Sequence, residues 1–212
     1  MKQIKKIFST LFITASLLSF SQVTFGAKAN VIYQTGDPTW ENIKNGTVDA
    51  YEDKGKNNVG YNAGISLKID TPLGIFIQPE LYYTTFSKEF TVDGTNTNTT
   101  IKVKNNRADL PVLVGYNVLG KTLGIYAGPV ASYNLSTDNQ YNDFKENATK
   151  EFTLGYQFGA QVTISKLVVS ARYEGAFSND QREFINTNVS SNEVIRYDNR
   201  PSLLMFGVGL NF

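Results

Sequence analysis

Large apolar residues occupy every second position along the end of the chain, from Leu204 to Phe212, and Met205, Gly207, Gly209 and Asn211 lie between them. A period of two is the pattern of a β-strand, because successive side chains of a strand point to opposite faces. Six further segments divide their residues in the same way, with their charges always on the face that also carries Gly, Asn and Gln. This repetition predicts a sheet with one apolar face throughout. In the last strand that face consists of Leu204, Phe206, Val208, Leu210 and Phe212.

The alternating segments predict eight strands, the first of which has the weakest pattern. The connections between them alternate between short turns and long polar loops. Short turns at one rim and long loops at the other are typical of membrane β-barrels, in which an even number of strands leaves both termini at the periplasmic rim. The predicted strands are Ala29–Gly36, Asn58–Ile69, Gly74–Phe86, Arg107–Val118, Thr122–Leu135, Glu151–Ile164, Leu167–Phe177 and Leu203–Phe212.

The cost of placing charge in lipid decides which face of these strands points outward. A Lys or Arg that faces the middle of a bilayer costs about 2–4 kcal/mol, so the charged face must line the interior. Since an unpaired interior charge is costly, the inward charges are expected to form a network of ion pairs. Its predicted members are Lys68, Glu80, Asp109, Glu151, Arg172 and Glu174.

The predicted size of the barrel limits what its interior can do. Eight strands enclose a lumen that side chains just fill, or that holds one small ligand, so an open diffusion pore is not expected. Two roles for the inward charges remain open, a plug that fixes the strand register and a path for protons or ions. The predicted fold is all-β, an eight-stranded antiparallel up-and-down transmembrane β-barrel with short periplasmic turns and long extracellular loops.

The only long apolar run, Ile7–Phe20, is shorter than the ~20 apolar residues that a membrane helix needs. It follows several lysines and precedes small residues, which is the order of parts in a secretory signal peptide. We therefore divide the chain into a signal peptide at residues 1–26 and a barrel domain at residues 27–212, and we expect export to the bacterial outer membrane. The candidate cleavage positions follow Ser21, Gly26 and Ala29.

Composition excludes several classes of function. The 212 residues include no Cys and no His, and the formal net charge is +1. Without His a Ser nucleophile lacks its usual general base, and without Cys and His there is no transition-metal cluster. A nearly neutral chain gives no indication of nucleic-acid binding. The sequence therefore predicts a protein that is not an enzyme and that uses neither a cofactor nor a metal.

A specific function is expected in the long loops. The last loop, residues 178–202, combines hydrophobic and charged side chains. It is predicted to extend a barrel hairpin above the membrane and to offer a strand edge to a protein partner of the cell envelope. The candidate contact residues are Arg182, Phe184, Arg196, Tyr197 and Arg200.

The last strand carries a second candidate signal. Alternating apolar residues with a terminal aromatic residue resemble the C-terminal signal that the barrel-assembly machinery recognises in its clients. The expected partners are therefore outer-membrane lipid, the barrel-assembly machinery and an envelope protein. The residues of this assembly signal are Phe206, Val208, Leu210 and Phe212.

Three prolines, Pro79, Pro111 and Pro129, fall inside predicted strands. Every strand of a closed barrel has neighbours on both sides, and a Pro there removes a hydrogen bond of the ladder. Each proline is therefore predicted to mark a bulge or to lie near a rim.

Several short motifs follow one another in the chain, namely Gly60–Gly64, Gln78–Tyr83, Asp109–Leu113, Tyr126–Pro129, Gly155–Gly159 and Ala171–Tyr173. Their order and spacing, over about residues 57–212, resemble the PorT-like outer-membrane β-barrel family of Bacteroidetes. The resemblance implies an eight-stranded barrel and, for one branch of the family, an accessory role in a protein-secretion machine. The first predicted strand departs from the family, which usually opens with a clear Gly-rich strand.

Together these features predict a non-enzymatic outer-membrane barrel with a side-chain-filled lumen. It would display surface loops or dock a partner, as an accessory of a secretion machine. The alternative is a secreted soluble β-barrel that binds a small apolar ligand. The two hypotheses differ in which face is apolar, because a soluble binder would keep its charges outside and line its cavity with Phe and Tyr.

Overall fold

The computed structural model describes most of the chain beyond residue 21. Its backbone is described at residues 22–35, 39–44, 47–51, 56–57, 59–93, 98–135, 140–141, 144–148, 152–177, 181–186, 194–198 and 202–212. Side chains are described at residues 22–35, 59–86, 106–135, 152–177 and 202–212.

The described residues form β-strands joined by turns. Long strands make up the barrel, and shorter ones occur in the segments that connect them. The strands are β1 (Gln22–Gln34), β2 (Thr39–Lys44), β3 (Thr47–Tyr51), β4 (Lys56–Asn57), β5 (Gly60–Asp70), β6 (Ile75–Asp93), β7 (Asn98–Asn117), β8 (Leu123–Asn134), β9 (Gln140–Tyr141), β10 (Phe144–Ala148), β11 (Phe152–Ile164), β12 (Leu167–Ala176), β13 (Gln181–Asn186), β14 (Val194–Asp198) and β15 (Leu203–Asn211).

Eight of these strands close into an antiparallel barrel, as predicted. Round the wall their order is β6, β5, β1, β15, β12, β11, β8 and β7, and the pairing of β6 with β7 completes the ring. The first and last strands are neighbours, paired from Gly26–Asn211 to Gln34–Leu203. At one rim the hairpin turns are tight, and Gly74 adopts a φ of 79° that favours glycine.

The first barrel strand begins earlier than predicted. It spans Gln22–Gln34 instead of Ala29–Gly36, and it pairs with β5 from Gln22–Asp70 to Ile32–Gly60. The alternation already starts at Val23, but its outward positions include small alanines, so the pattern is weak in the sequence. A full-length first strand is nevertheless required because it supplies the hydrogen-bond partners of both β5 and β15.

The outward face of the barrel is apolar and the inward face is polar, as predicted. Successive residues alternate between the two faces, since Val168 is 3% exposed and Val169 is 47% exposed, and some inward positions such as Val168 are apolar. At the barrel-strand positions whose side chains the structure describes, the charged residues all lie on the inward face. This distribution does not support the alternative of a soluble barrel, which would keep its charges outside.

The three prolines do not mark bulges, so the first of the two predicted alternatives is wrong. In the ladder between β6 and β7 the pairing passes from Pro79–Val112 to Tyr82–Asp109 with the same register on both sides of a short gap. The ladder between β7 and β8 behaves in the same way beside Pro111. The gap in the ladder covers the same number of residues in both strands. The pairing is therefore interrupted, but neither strand contains the extra residue that defines a bulge.

A second sheet continues the barrel beyond the rim that carries the long connections. Its strand order is β3, β2, β14, β13, β10 and β9. Each of these six strands is connected along the chain to one barrel strand. The corresponding barrel strands are β5, β1, β15, β12, β11 and β8, which lie side by side in the barrel wall in that same order. The hairpin of β6 and β7 also extends, to the pair Asp93–Asn98. Four segments that were predicted as loops therefore contain strands, whose polar Thr-rich and Asn-rich composition conceals them in the sequence.

Candidate functional site

A group of three charged side chains occupies the centre of the lumen. Arg172 Nη1 donates to Glu80 Oε2 at 2.6 Å, and Lys28 Nζ donates to Glu80 Oε1 at 2.8 Å. These side chains are almost fully buried. Glu80 belongs to β6 and Arg172 to β12, and these two strands are four positions apart in either direction round the ring. The ion pair therefore spans the whole width of the barrel.

A second group of charges continues from the first towards the extracellular rim. Arg107 Nη2 donates to Glu174 Oε1 at 2.6 Å, and Arg107 Nε donates to Asp109 Oδ2 at 3.0 Å. Gln157 joins the two groups, because its Nε2 donates to Glu174 Oε2 at 2.8 Å and its Oε1 accepts from Arg172 Nη1 at 3.3 Å.

Two further glutamines brace the central group. Gln161 accepts from Lys28 Nζ at 3.3 Å and donates to Gln78 at 3.2 Å, and Gln78 donates to Glu80 Oε1 at 2.7 Å. With these contacts the polar groups form one connected set, which contains as many cations as carboxylates. We define the lumen network as Lys28, Gln78, Glu80, Thr84, Arg107, Asp109, Gln157, Gln161, Arg172 and Glu174.

An apolar layer separates the lumen network from a third group of charges at the periplasmic end. Phe76, Leu113 and Tyr126 form a buried cluster. Tyr126 packs against Arg172 of the network, with 5.4 Å between the ring centroid and Cζ, and Phe76 packs against Lys68 Nζ at 4.4 Å. Charge above this layer and charge below it are therefore held apart by side chains.

Lys68 and its partners occupy the periplasmic end of the lumen. Lys68 Nζ lies 2.9 Å from Asp70 Oδ1 and donates to Asn117 Oδ1 at 3.0 Å. Asn117 in turn donates to Asp70 at 2.8 Å. The Lys68 and Asp70 side chains are 12% and 8% exposed, more than those of the central group, so this pair is expected to contribute less.

Glycines on the inward face make room for the lumen network. A Cβ on Gly207 would collide with the amide oxygen of Asn30, and a Cβ on Gly209 would lie 2.7 Å from Lys28 Cγ. The same holds for Gly159, where a Cβ would lie 2.8 Å from Arg172 Cβ. The large interior side chains fit because the positions that face them carry none.

The predicted interior charges fall into three groups. Four of them belong to the lumen network, namely Glu80, Asp109, Arg172 and Glu174. Lys68 bonds to Asp70 near the periplasmic rim instead. Glu151 lies outside the described residues.

Sequence reasoning missed three charged residues of the lumen. Lys28 precedes the predicted first strand, so it was not considered. Asp70 was assigned to a turn, although it closes β5. Arg107 begins a predicted strand on the same face as Asp109, so the period of two was sufficient to include it.

The predicted assembly signal occupies the outward face of β15. Phe206, Val208 and Leu210 are about half exposed on the barrel exterior. Phe212 N donates to Phe25 O at 2.8 Å, so the last residue is joined to the first strand. Recognition of these residues by the assembly machinery stays a prediction.

The candidate partner-binding residues lie mostly on the hairpin of β13 and β14. Arg182 pairs with Tyr197 in this ladder, Glu183 with Arg196, and Phe184 with Ile195. Arg200 lies outside the described residues. The expectation of a free strand edge here is wrong, because β13 also pairs with β10 and β14 also pairs with β2. The hairpin can therefore offer a partner a face but not an edge.

The described part of the chain contains neither a candidate metal-binding group nor a candidate membrane-spanning helix. Its His, Cys, Asp and Glu residues form no group of three or more that could hold a metal ion. No helix among these residues is long and apolar enough to cross a membrane.

The chain is similar to known outer-membrane barrels. The family described as outer membrane protein beta-barrel domain matches residues 15–180. The outer membrane protein OprG from Pseudomonas aeruginosa has the same fold, with a TM-score of 0.64 at 14% identity over 89% of this chain and 95% of OprG. A major outer membrane protein from Thermus thermophilus gives a TM-score of 0.50 at 12% identity over 90% of this chain and 99% of its own. No curated protein matches the sequence. Since the family match covers more than half of the chain, this barrel of the bacterial outer membrane belongs to the outer membrane protein beta-barrel domain family.

Proposed function

We propose that the barrel is a non-enzymatic scaffold that holds an extracellular sheet above the outer membrane for a protein partner of the envelope. The observation that carries this proposal is the lumen network, which crosses the barrel between opposite strands. A lumen filled in this way leaves the extracellular surface as the place for specific function.

The resemblance to the PorT-like family supports one kind of partner. One branch of that family assists a protein-secretion machine, so we propose a component of such a machine as the partner. The extracellular sheet supports docking, because six strands in one sheet present a broader surface than separate loops. The competing role is a surface barrel that displays its loops without a fixed partner.

The role of the lumen as a plug is tested by electrical recording. The purified barrel, reconstituted into a planar bilayer, is expected to give no conductance steps above those of the bare bilayer. The lumen network and the apolar layer of Phe76, Leu113 and Tyr126 both fill the lumen, so we expect no continuous water path for ions. Regular conductance steps would show that the interior is a path for ions and would contradict the plug.

The docking role is tested by purification of the barrel with its partners. An affinity tag inserted at residues 94–97, between β6 and β7, leaves both termini unchanged. Proteins that co-purify from solubilised outer membrane are identified by mass spectrometry. Recovery of a secretion component in constant proportion to the barrel supports the proposal, and recovery of the barrel alone contradicts it.

Two neighbouring pairs in the hairpin of β13 and β14 provide matched variants for that experiment. Arg182→Ala with Tyr197→Ala removes two candidate contact residues, and Gln181→Ala with Asp198→Ala removes the adjacent pair, which contains none. Arg and Tyr are enriched among residues that dominate binding energy, so the first double variant is expected to lose the partner. The second is expected to keep it. Equal recovery with both variants would show that this hairpin is not the docking surface.

A further inference from the structure

Three hydrogen-bond donors at the centre of the lumen have no partner among the residues that the structure describes. They are the Nε of Arg172 and the hydroxyl groups of Tyr82 and Tyr126. These residues are 2%, 2% and 5% exposed. Buried donors without a partner are rare in native proteins, because such a group loses its hydration and gains nothing in return.

The three donors belong to one small region of the lumen. The ring centroids of Tyr82 and Tyr126 lie 5.6 Å and 5.4 Å from Arg172 Cζ. The Tyr126 hydroxyl lies beside Arg172 and Ser170, but without hydrogen-bonding geometry. The other edge of the Arg172 guanidinium, Nη1 and Nη2, is occupied by Glu80. The Nε edge is therefore free to bind a second acceptor.

The charges of the lumen network are unevenly distributed. In the central group two cations, Lys28 and Arg172, share the single carboxylate Glu80. In the extracellular group one cation, Arg107, serves two carboxylates. The central group thus carries one positive charge more than its carboxylate balances, in a place from which water is largely excluded.

We propose that the centre of the lumen binds one small monovalent anion of the chloride class, held by Arg172 Nε and the hydroxyl groups of Tyr82 and Tyr126. Unpartnered donors beside an excess positive charge select an anion over a cation. The packed interior of an eight-stranded barrel excludes large anions. The anion would balance the central charge and complete the plug.

One neighbouring group is better matched to water. The side chain of Asn30 lies beside Tyr82, and its amide oxygen is an unpartnered acceptor. Water can serve donors and acceptors alike, whereas an anion serves only donors. Bound water without an anion is therefore the outcome that the experiment has to separate from the proposal.

The first test compares thermal unfolding in sodium chloride and in sodium gluconate at equal ionic strength, with the full barrel in detergent. Ligand binding to the folded state is expected to raise the midpoint in chloride by at least about 2 °C. In the variant Tyr82→Phe with Tyr126→Phe both rings remain, and this chloride effect is expected to disappear. The control is Tyr33→Phe with Tyr133→Phe, whose side chains are exposed on the barrel exterior and whose chloride effect is expected to be unchanged.

The two salts also separate an anion site from a purely structural role of the hydroxyls. In gluconate the lumen Phe variant is expected to be at least as stable as the parent, since it only removes unpartnered polar groups. Equal midpoints of the parent in both salts would overturn the proposal. So would a chloride effect that persists in the lumen variant.

A second measurement on the parent protein decides the matter even if the variant fails to fold. Crystals grown in sodium bromide are expected to show an anomalous scattering peak within hydrogen-bonding distance of Arg172 Nε. Density at that position without an anomalous signal would identify water and reject the anion.

Discussion

Arg172 and Glu80 form a 2.6 Å ion pair between strands that face each other across the barrel. The two residues are 92 positions apart in the sequence, and β6 and β12 share no ladder. Backbone hydrogen bonds join each strand only to its neighbours in the wall. The side-chain pair therefore fixes the relative position of two strands that the sheet itself connects only through the strands between them.

Arg172→Ala is expected to lower the stability of the barrel by about 3–5 kcal/mol, the usual cost of removing one partner of a buried ion pair. The variant also removes a hydrogen bond to Gln157 and leaves Glu80 with Lys28 as its only cation. Urea unfolding or the temperature at which the folded band is lost on a gel measures the change. Lys68→Ala is the control, and it is expected to cost less because its pair is partly solvated. Equal stability of Arg172→Ala and the parent would reject the network.

Gly207→Ala is expected to destabilise the barrel by about 1–3 kcal/mol, the usual cost of adding a methyl group to a packed interior. The new Cβ would collide with the side chain of Asn30 across the ladder of β1 and β15. Because the closest groups all belong to side chains, Asn30→Ala is expected to restore much of the loss. Thermal unfolding of the two single variants and the double variant measures this coupling. Purely additive effects would show that the two positions do not contact each other.

The structure also favours one of the three candidate cleavage positions. Cleavage after Gly26 or Ala29 would remove residues that pair with β5, among them Phe25, which accepts the backbone bond from Phe212. We therefore predict cleavage after Ser21, with Gln22 as the first residue of the mature protein. Intact-mass spectrometry of barrel purified from outer membrane tests this. A mature chain that begins at Ala27 or Asn30 would contradict it.

Deletion of Phe212 is expected to leave the protein in the periplasm, where it is degraded. The change removes the aromatic residue Phe212 of the predicted assembly signal together with its backbone bond to β1. Membrane fractionation and immunoblotting measure the amount inserted, and Phe212→Tyr, which keeps an aromatic ring, is expected to insert normally. Normal insertion of the deletion variant would place the signal elsewhere in the chain.

The architecture of the barrel wall was predictable because lipid imposes one rule on every strand. Each strand needs an uncharged outward face, so Val59, Tyr61 and Ala63 recur with a period of two as clearly as the apolar residues of the last strand do. The rule weakens where alanine replaces larger residues, which is why β1 was placed too late. It gives no information on the extracellular sheet, whose strands do not face lipid.

The partners inside the lumen were not predictable from the same pattern. The period of two puts Glu80 and Arg172 on inward faces, but it does not say that their strands face each other. That relationship depends on the register with which the barrel closes, and no local sequence feature encodes it. The effect of the prolines was not predictable from the local sequence either. The register beside Pro79 is kept because the residue pairs on both sides of the gap hold it.

The central claim is that hydrocarbon covers the outside of this barrel while its interior is closed to lipid. Val168 and Val169 test it most directly, because they are adjacent in β12 and differ only in the face they occupy. The measurement is the nuclear Overhauser effect between lipid acyl-chain protons and the methyl groups of each valine, with the barrel in lipid nanodiscs. The account predicts strong effects at Val169 and none at Val168. Acyl-chain contacts at Val168, or none at Val169, would contradict it.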